Sequence, residues 1–118
     1  MLSAKIHGGA VTECDLAYED SCGLGPDLRA ASGILPLEKV AVANLSTGER
    51  WETYVIADER PGAITVNGAA ARSASVGDRV IVMSYRLVAD ADLATHLARI
   101  VILTADNGIA STREDRPA

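Results

Sequence analysis

The stretch Tyr18-Glu19-Asp20-Ser21-Cys22 has the strongest claim to chemistry, because it sets a serine behind a tight acidic and polar turn. A serine hydroxyl can attack the carbonyl of the residue before it and turn that amide into an ester. Elimination at the serine and loss of ammonia then leave a pyruvoyl group. Its carbonyl forms an imine with a substrate amine and accepts the electron pair left when carbon dioxide departs. Ser21 is therefore the candidate precursor of a built-in electron sink. Downstream, alternation over residues 50–57 puts Arg50, Glu52, Tyr54 and Ile56 on one strand face and Trp51, Thr53 and Val55 on the other. A guanidinium and a phenol are thus offered to the same side. Lys5 and His7 share a face in the same way, as residues of a solvated strand also do.

These side chains need strands to hold them. Leu2, Ala4 and Ile6 alternate with polar residues, the period of a half-buried strand, and Gly8-Gly9 follows as a bulge or a bend. Residues 16–19 read as a second short strand leading into Ser21, with Gly23-Leu24-Gly25-Pro26 closing that region. A helix is expected over 27–32, with Pro26 near its start, Gly33 just past its end, and Leu28 and Ala31 toward the core. Residues 38–44 and 50–57 form a hairpin across Ser46-Thr47-Gly48. A strand over 63–66 leads through Asn67-Gly68 into a helical turn at 69–71. Residues 79–85 read as a strand buried on both faces and 100–103 as another. The segment 90–99 is a helical turn or a loop, and 111–118, with nothing to bury, reads as a flexible tail. Many short strands and brief helices indicate a mainly β fold, a small barrel occupying residues 1–110 as one domain.

Composition narrows the function. With 118 residues, 48% of them hydrophobic but only 3% aromatic, the core must be built from Val, Ile, Leu and Ala. There is no room for a separate cofactor domain. The formal charge of -5 argues against a nucleic-acid partner, which needs clustered cations. No apolar run reaches a membrane span and no signal peptide is evident, so the expected location is cytoplasmic, away from membranes. Cys14 and Cys22 lack disulfide or zinc spacing, and His7 and His96 stand alone, so no metal is expected.

Taken in order, Lys5-Ile6-His7, Val11-Thr12, Asp15-Leu16, Tyr18, Ser21-Cys22, Arg50, Thr53-Tyr54, Glu59-Arg60, 66–71 and Val76-Gly77-Asp78 resemble the pyruvoyl-dependent aspartate 1-decarboxylases. That family makes β-alanine from L-aspartate for pantothenate synthesis. The resemblance implies a six-stranded double-psi β-barrel with short helices, usually a homotetramer with active sites at subunit interfaces. It implies self-cleavage between Asp20 and Ser21, the pyruvoyl cofactor arising from Ser21. Arg50 would clamp a substrate carboxylate through two parallel hydrogen bonds, with Lys5 as a point-charge partner. Tyr54 would return a proton to the former α-carbon. Thr53 would serve maturation, Asn67 would donate to the oxyanion formed on Ser21 attack, and Gly68, Ala69 and Ala70 would line the substrate pocket. Tyr18 falls at a family site position as well.

Three positions depart from the family pattern. Asp20 replaces a common Gly before the serine, Gly8-Gly9 replaces bulkier residues, and Arg72 stands where His is common. The first bears on maturation, and a residue beside a rearranging bond is expected in an uncommon backbone conformation that Gly adopts freely. The others bear on substrate choice. Two alternatives therefore stand beside aspartate decarboxylation: an uncleaved, non-catalytic barrel, or a decarboxylase of another acidic amino acid. An accessory maturation factor would not be visible in the sequence.

Overall fold

Aliphatic residues at period two produce a sheet with almost no aromatic packing, and the computed structural model, which describes Met1–Ala118, bears out the mainly β reading. Nine strands form: β1 (Leu2–Ala10), β2 (Glu13–Asp15), β3 (Ser21–Leu24), β4 (Lys39–Asn44), β5 (Arg50–Ala57), β6 (Ile64–Asn67), β7 (Arg79–Tyr85), β8 (Ala98–Leu103) and β9 (Ile109–Asp115). Helix α1 (Pro26–Ser32) and two 3-10 helices, Gly68–Arg72 and Asp90–Thr95, complete the chain. The hydrogen-bonded order is β2-β6-β3-β5-β4-β7-β1-β8-β9, so six contiguous strands from β6 to β1 are flanked by β2 and the β8–β9 pair.

The outer strands of those six are drawn together where the chain leaves β1. Thr12 N–H donates to the Ile64 carbonyl at 2.8 Å, and the Thr12 hydroxyl also engages both the Ile64 N–H and C=O. The interior is a continuous aliphatic cluster in which Ile6, Leu24, Leu28, Ile34, Val55 and Val82 are essentially water-free. Each stabilises the fold by roughly 1.5–3 kcal/mol relative to exposure. Gly8 resolves one open reading. At φ +85° it sits where the β1–β7 register shifts between His7 and Gly9, a bulge rather than a bend.

Helix α1 follows the expected boundaries, with Pro26 at its first position and Gly33, at φ +77°, returning its N–H to the Arg29 carbonyl. The hairpin of β4 and β5 is antiparallel with Val40 opposite Thr53 and Val42 opposite Trp51. The segment left open at 90–99 is a 3-10 helix running into β8.

Three expectations change. The strand expected over 16–19 lies earlier, at β2. It ends because the Asp15 carboxylate captures the Ala17 N–H at 3.0 Å, turning the chain and leaving Leu16 and Tyr18 exposed. Gly23 and Leu24, expected to close the region, are buried residues of β3. The tail expected over 111–118 is instead largely β9, in register with β8 from Ala98–Asp115 to Leu103–Ile109. Its side chains are all exposed, so the reading of burial was right, but ladder hydrogen bonds alone hold a strand on an exposed edge.

The loop between β8 and β9 is tied down by Asn107, buried and at φ +66°. Its side-chain oxygen accepts the Ala10 N–H at 2.6 Å, while its amide donates to the carbonyls of Ala10 at 2.8 Å and Gly62 at 2.7 Å. Asn107→Ala strands three backbone groups with no partner. The expected loss is about 2–4 kcal/mol, read as a fall in melting temperature on the order of 10 °C. A variant melting with the parent would show that water replaces the asparagine.

Candidate active site

Antiparallel pairing of β3 with β6 sets Ser21 opposite Asn67. Both are buried, Ser21 at 1% and Asn67 at 5% exposure. Asn67 Nδ2 donates to Ser21 Oγ at 3.1 Å, and the Ser21 hydroxyl donates to the Glu19 carbonyl at 2.8 Å. The serine oxygen is therefore oriented, with an amide donor already beside it. Asn67 Nδ2 also donates to Thr65 Oγ1 at 3.3 Å.

Asp20 and Gly68 form the other side of the site. At Gly68, φ is +74°, and a Cβ there would lie 2.6 Å from Asp20 Cα and 2.8 Å from Asp20 N, so only glycine lets the two segments approach. The 3-10 helix that starts at Gly68 then sends the Ala70 N–H to Asp20 Oδ1 at 3.4 Å. Ala70 is buried and Ala69 exposed. Asp20 itself is exposed, and it has no left-handed backbone: Leu37 and Asn107 are the non-glycine residues with positive φ. The left-handed residue at this point is Gly68, packed against Asp20, and not Asp20 itself.

The parallel pairing of β3 with β5 matches Cys22 with Val55, so the same register carried one step back sets Ser21 level with Tyr54. Tyr54 is half-buried. Thr53 points to the opposite face, buried, and its hydroxyl is the one buried side-chain polar atom with no hydrogen-bond partner. β5 carries no register shift against β4 that would bring the two together.

Neither Lys5 nor Arg50 is paired with Ser21. Lys5 lies on β1, paired with Met83 and Ile100, and β1 meets β6, the neighbour of β3, through Thr12. Arg50 is exposed at the start of β5, about 13 Å along the strand from Tyr54 at the usual rise per residue. Near Lys5, burial and then the charges of Lys5 and Arg79 push the His7 imidazole below its ordinary pKa, favouring the neutral ring.

A cleft of about 340 Å³ opens beside Asn67, lined among others by Tyr18, Thr65, Glu13, Asp58 and Arg60. Arg60 is already engaged. Its guanidinium donates twice to Asp58, at 3.0 and 2.6 Å, and to Glu13 at 2.8 Å. Those hydrogen bonds hold the Asp58 carboxyl below its usual range and occupy Nε and Nη2 of Arg60, leaving Nη1 as its unengaged nitrogen. The neighbouring thiol of Cys22 is wholly buried, which pushes its pKa up to about 12. It stays protonated beside Ser21 and does not compete as a nucleophile.

Sequence reasoning passed over Thr65 and Gly23. Thr65 Oγ1 accepts the Gly23 N–H at 3.0 Å, and a Cβ on Gly23 would lie 2.1 Å from that oxygen. A polar residue between Ile64 and Val66 in an otherwise apolar strand was the available signal. The donor set suits a group made from Ser21: a buried hydroxyl, an amide aimed at it, and a glycine cradle that a Cβ would fill.

Comparison with known proteins agrees with this geometry. Residues 1–110 match a family described as aspartate decarboxylase. An aspartate 1-decarboxylase of Tolumonas auensis is 43% identical over 118 residues, covering 99% of this chain and 94% of its own. That of Methylibium petroleiphilum is 45% identical over 115 residues, covering 97% and 96%. One of Cellvibrio japonicus is 42% identical over 118 residues, covering 99% and 94%.

The Asp20 carboxylate adjoins the carbonyl that must gain negative charge if Ser21 attacks it, and its oxygen is held by Ala70 rather than by Ser21. Like charges a few ångströms apart oppose that step. Asp20→Asn and Asp20→Gly are therefore expected to speed cleavage of freshly made chain, followed by mass spectrometry. Slower cleavage in both would make Asp20 a base.

Proposed function

This chain belongs to the aspartate decarboxylase family, and we propose from that membership that it converts L-aspartate to β-alanine and carbon dioxide with a pyruvoyl group made from its own Ser21. The observation that carries the reading is the buried hydrogen bond from Asn67 to Ser21. Residues 1–20 and 21–118 become two fragments of one domain.

Self-cleavage begins when the Ser21 hydroxyl turns from the Glu19 carbonyl to that of Asp20. The Oγ–carbon bond forms, the Asp20–Ser21 amide breaks, and the hydroxyl proton passes to the Ser21 nitrogen. The charge gained in that step lies on the Asp20 carbonyl oxygen, and Asn67, which donates to the attacking Ser21 Oγ, is the amide assigned to reach it. Elimination then breaks the Ser21 Cβ–Oγ bond with loss of the α-proton and frees the Asp20 carboxylate. Water displaces ammonia at the α-carbon. Thr53, with its buried hydroxyl unpartnered, is assigned to maturation and reserves a donor for a rearranged chain.

A pyruvoyl carbonyl supplies an electron sink for a bound amino acid. The chain's own residues position that substrate and move its proton. Arg50 grips one carboxylate through two parallel hydrogen bonds, and Lys5 adds a point charge. Gly68, Ala69 and Ala70 present backbone to the substrate, and the Tyr54 phenol, level with Ser21, returns a proton to the former α-carbon. The working form in this reading is a homotetramer whose neighbours complete each site, as in the family it belongs to. Its setting is the cytoplasm and pantothenate synthesis. No helix is long and apolar enough to cross a membrane.

Ser21→Ala should abolish both cleavage and decarboxylation and leave a folded oligomer. Intact mass decides this: the parent yields two fragments, the second lighter by one ammonia than a serine-started product. A parent that stays full length after long incubation would instead support the uncleaved barrel. Arg50→Ala should mature normally yet lose on the order of 2–5 kcal/mol of transition-state binding to aspartate. An unchanged kcat/KM would remove Arg50 from the site.

A further inference from the structure

We propose that Thr65 is a positioning residue for self-cleavage: pinned by the Gly23 backbone, it aims the Asn67 amide at Ser21. The proposal rests on the reading that the chain cleaves itself before Ser21.

Thr65 stands two residues before Asn67 on β6, so the two side chains leave the strand on the same face. It is 3% exposed and lies opposite Gly23 on β3. Its hydroxyl oxygen sits directly over the glycine, in space that any Cβ on residue 23 would occupy. There the oxygen accepts the Gly23 N–H at 3.0 Å and one Asn67 Nδ2 hydrogen at 3.3 Å, and the second Asn67 hydrogen goes to Ser21 Oγ at 3.1 Å.

Both hydrogens of the asparagine amide are thereby engaged. Exchange of the amide oxygen and nitrogen would set a carbonyl oxygen against Ser21 Oγ, whose own hydrogen is already donated to Glu19, and leave that contact without a hydrogen. Without the threonine oxygen, one Asn67 hydrogen has no partner and the amide is free to turn from Ser21. The charge develops on the Asp20 carbonyl oxygen, which shares a carbon with Ser21 Oγ once that bond forms, and an amide that must first reorganise stabilises it less than one held beside Oγ. Thr65 makes no contact with the serine oxygen itself; it acts through Asn67.

The experiment uses full-length chains purified rapidly as precursor and followed by intact mass, so its readout is cleavage rather than decarboxylation. Thr65→Val keeps the shape and removes the hydroxyl, and it should cleave roughly 10- to 100-fold more slowly, less than the roughly 100- to 1000-fold lost when such a donor is removed outright, because Asn67 itself remains. Thr65→Ser keeps the oxygen and should cleave within about threefold of the parent. If the valine chain does not fold, Thr65→Ala, which leaves space for a water on the Gly23 N–H, takes its place. Val101→Ala, a core cavity on β8, lowers stability without touching these hydrogen bonds and should cleave at the parental rate. Parental cleavage by the Thr65 variants lacking the hydroxyl, or equal slowing by Val101→Ala, overturns the positioning role alone. A parent that never cleaves overturns the self-cleavage reading and this one with it.

Discussion

The pairing of β3 with β6 is the constraint on which the rest of the site depends. Side chains alternate along a strand, so a slip of one residue would turn Ser21 away from Asn67 and Thr65 away from Gly23 together. Two features hold the register. Thr65 locks into the space over Gly23, and Gly68 meets Asp20 at a separation that excludes a Cβ. Both are glycine contacts, and both lie within three residues of the Ser21–Asn67 pair. The site is thus specified by where side chains are missing as much as by where they are present.

The surrounding sheet supplies rigidity with few polar elements. The core is aliphatic, and polar side chains do definite jobs around it: exposed Thr12 joins the end of β1 to β6, and buried Asn107 ties the β8–β9 loop to Ala10 and Gly62. Ala10 and Thr12 flank the same connection, so these two sets of hydrogen bonds brace one junction. That junction leads directly into β2, which pairs with β6 on the side away from β3 and so supports the strand carrying Thr65 and Asn67.

Much of this was legible in the sequence because period-two burial and glycine punctuation are local signals. β1, α1, the β4–β5 hairpin and β7 follow from them directly. The misplacements have equally physical origins. An Asp15 side chain that captures the Ala17 N–H ends β2 before the Leu16-Tyr18 alternation can continue as strand. β9 has no buried face, so no hydrophobic period announces it; its partner strand is what makes it a strand. Thr65 was missed because its importance comes from a residue on another strand. Ser21 and Asn67 were singled out by type and order, whereas their pairing across β3 and β6 becomes apparent only once the strand order is known.

The proposed chemistry has two parts with different structural requirements. Asp20, Ser21, Asn67 and Gly68 meet within one chain, through backbone pairing and short side chains that reach no farther than the next strand. On the proposed reading cleavage asks for these together with Thr53 and Thr65 of the same chain. Binding a dicarboxylate asks for free cations, and the one arginine in the cleft beside Asn67 is paired with Asp58 and Glu13. A single chain therefore offers substrate an acidic cleft with its cation neutralised, which repels the charge that must bind. On the proposed reading, Arg50 and Lys5 of neighbouring copies reverse that field, so assembly confers substrate affinity on a site whose covalent maturation needs no partner residue.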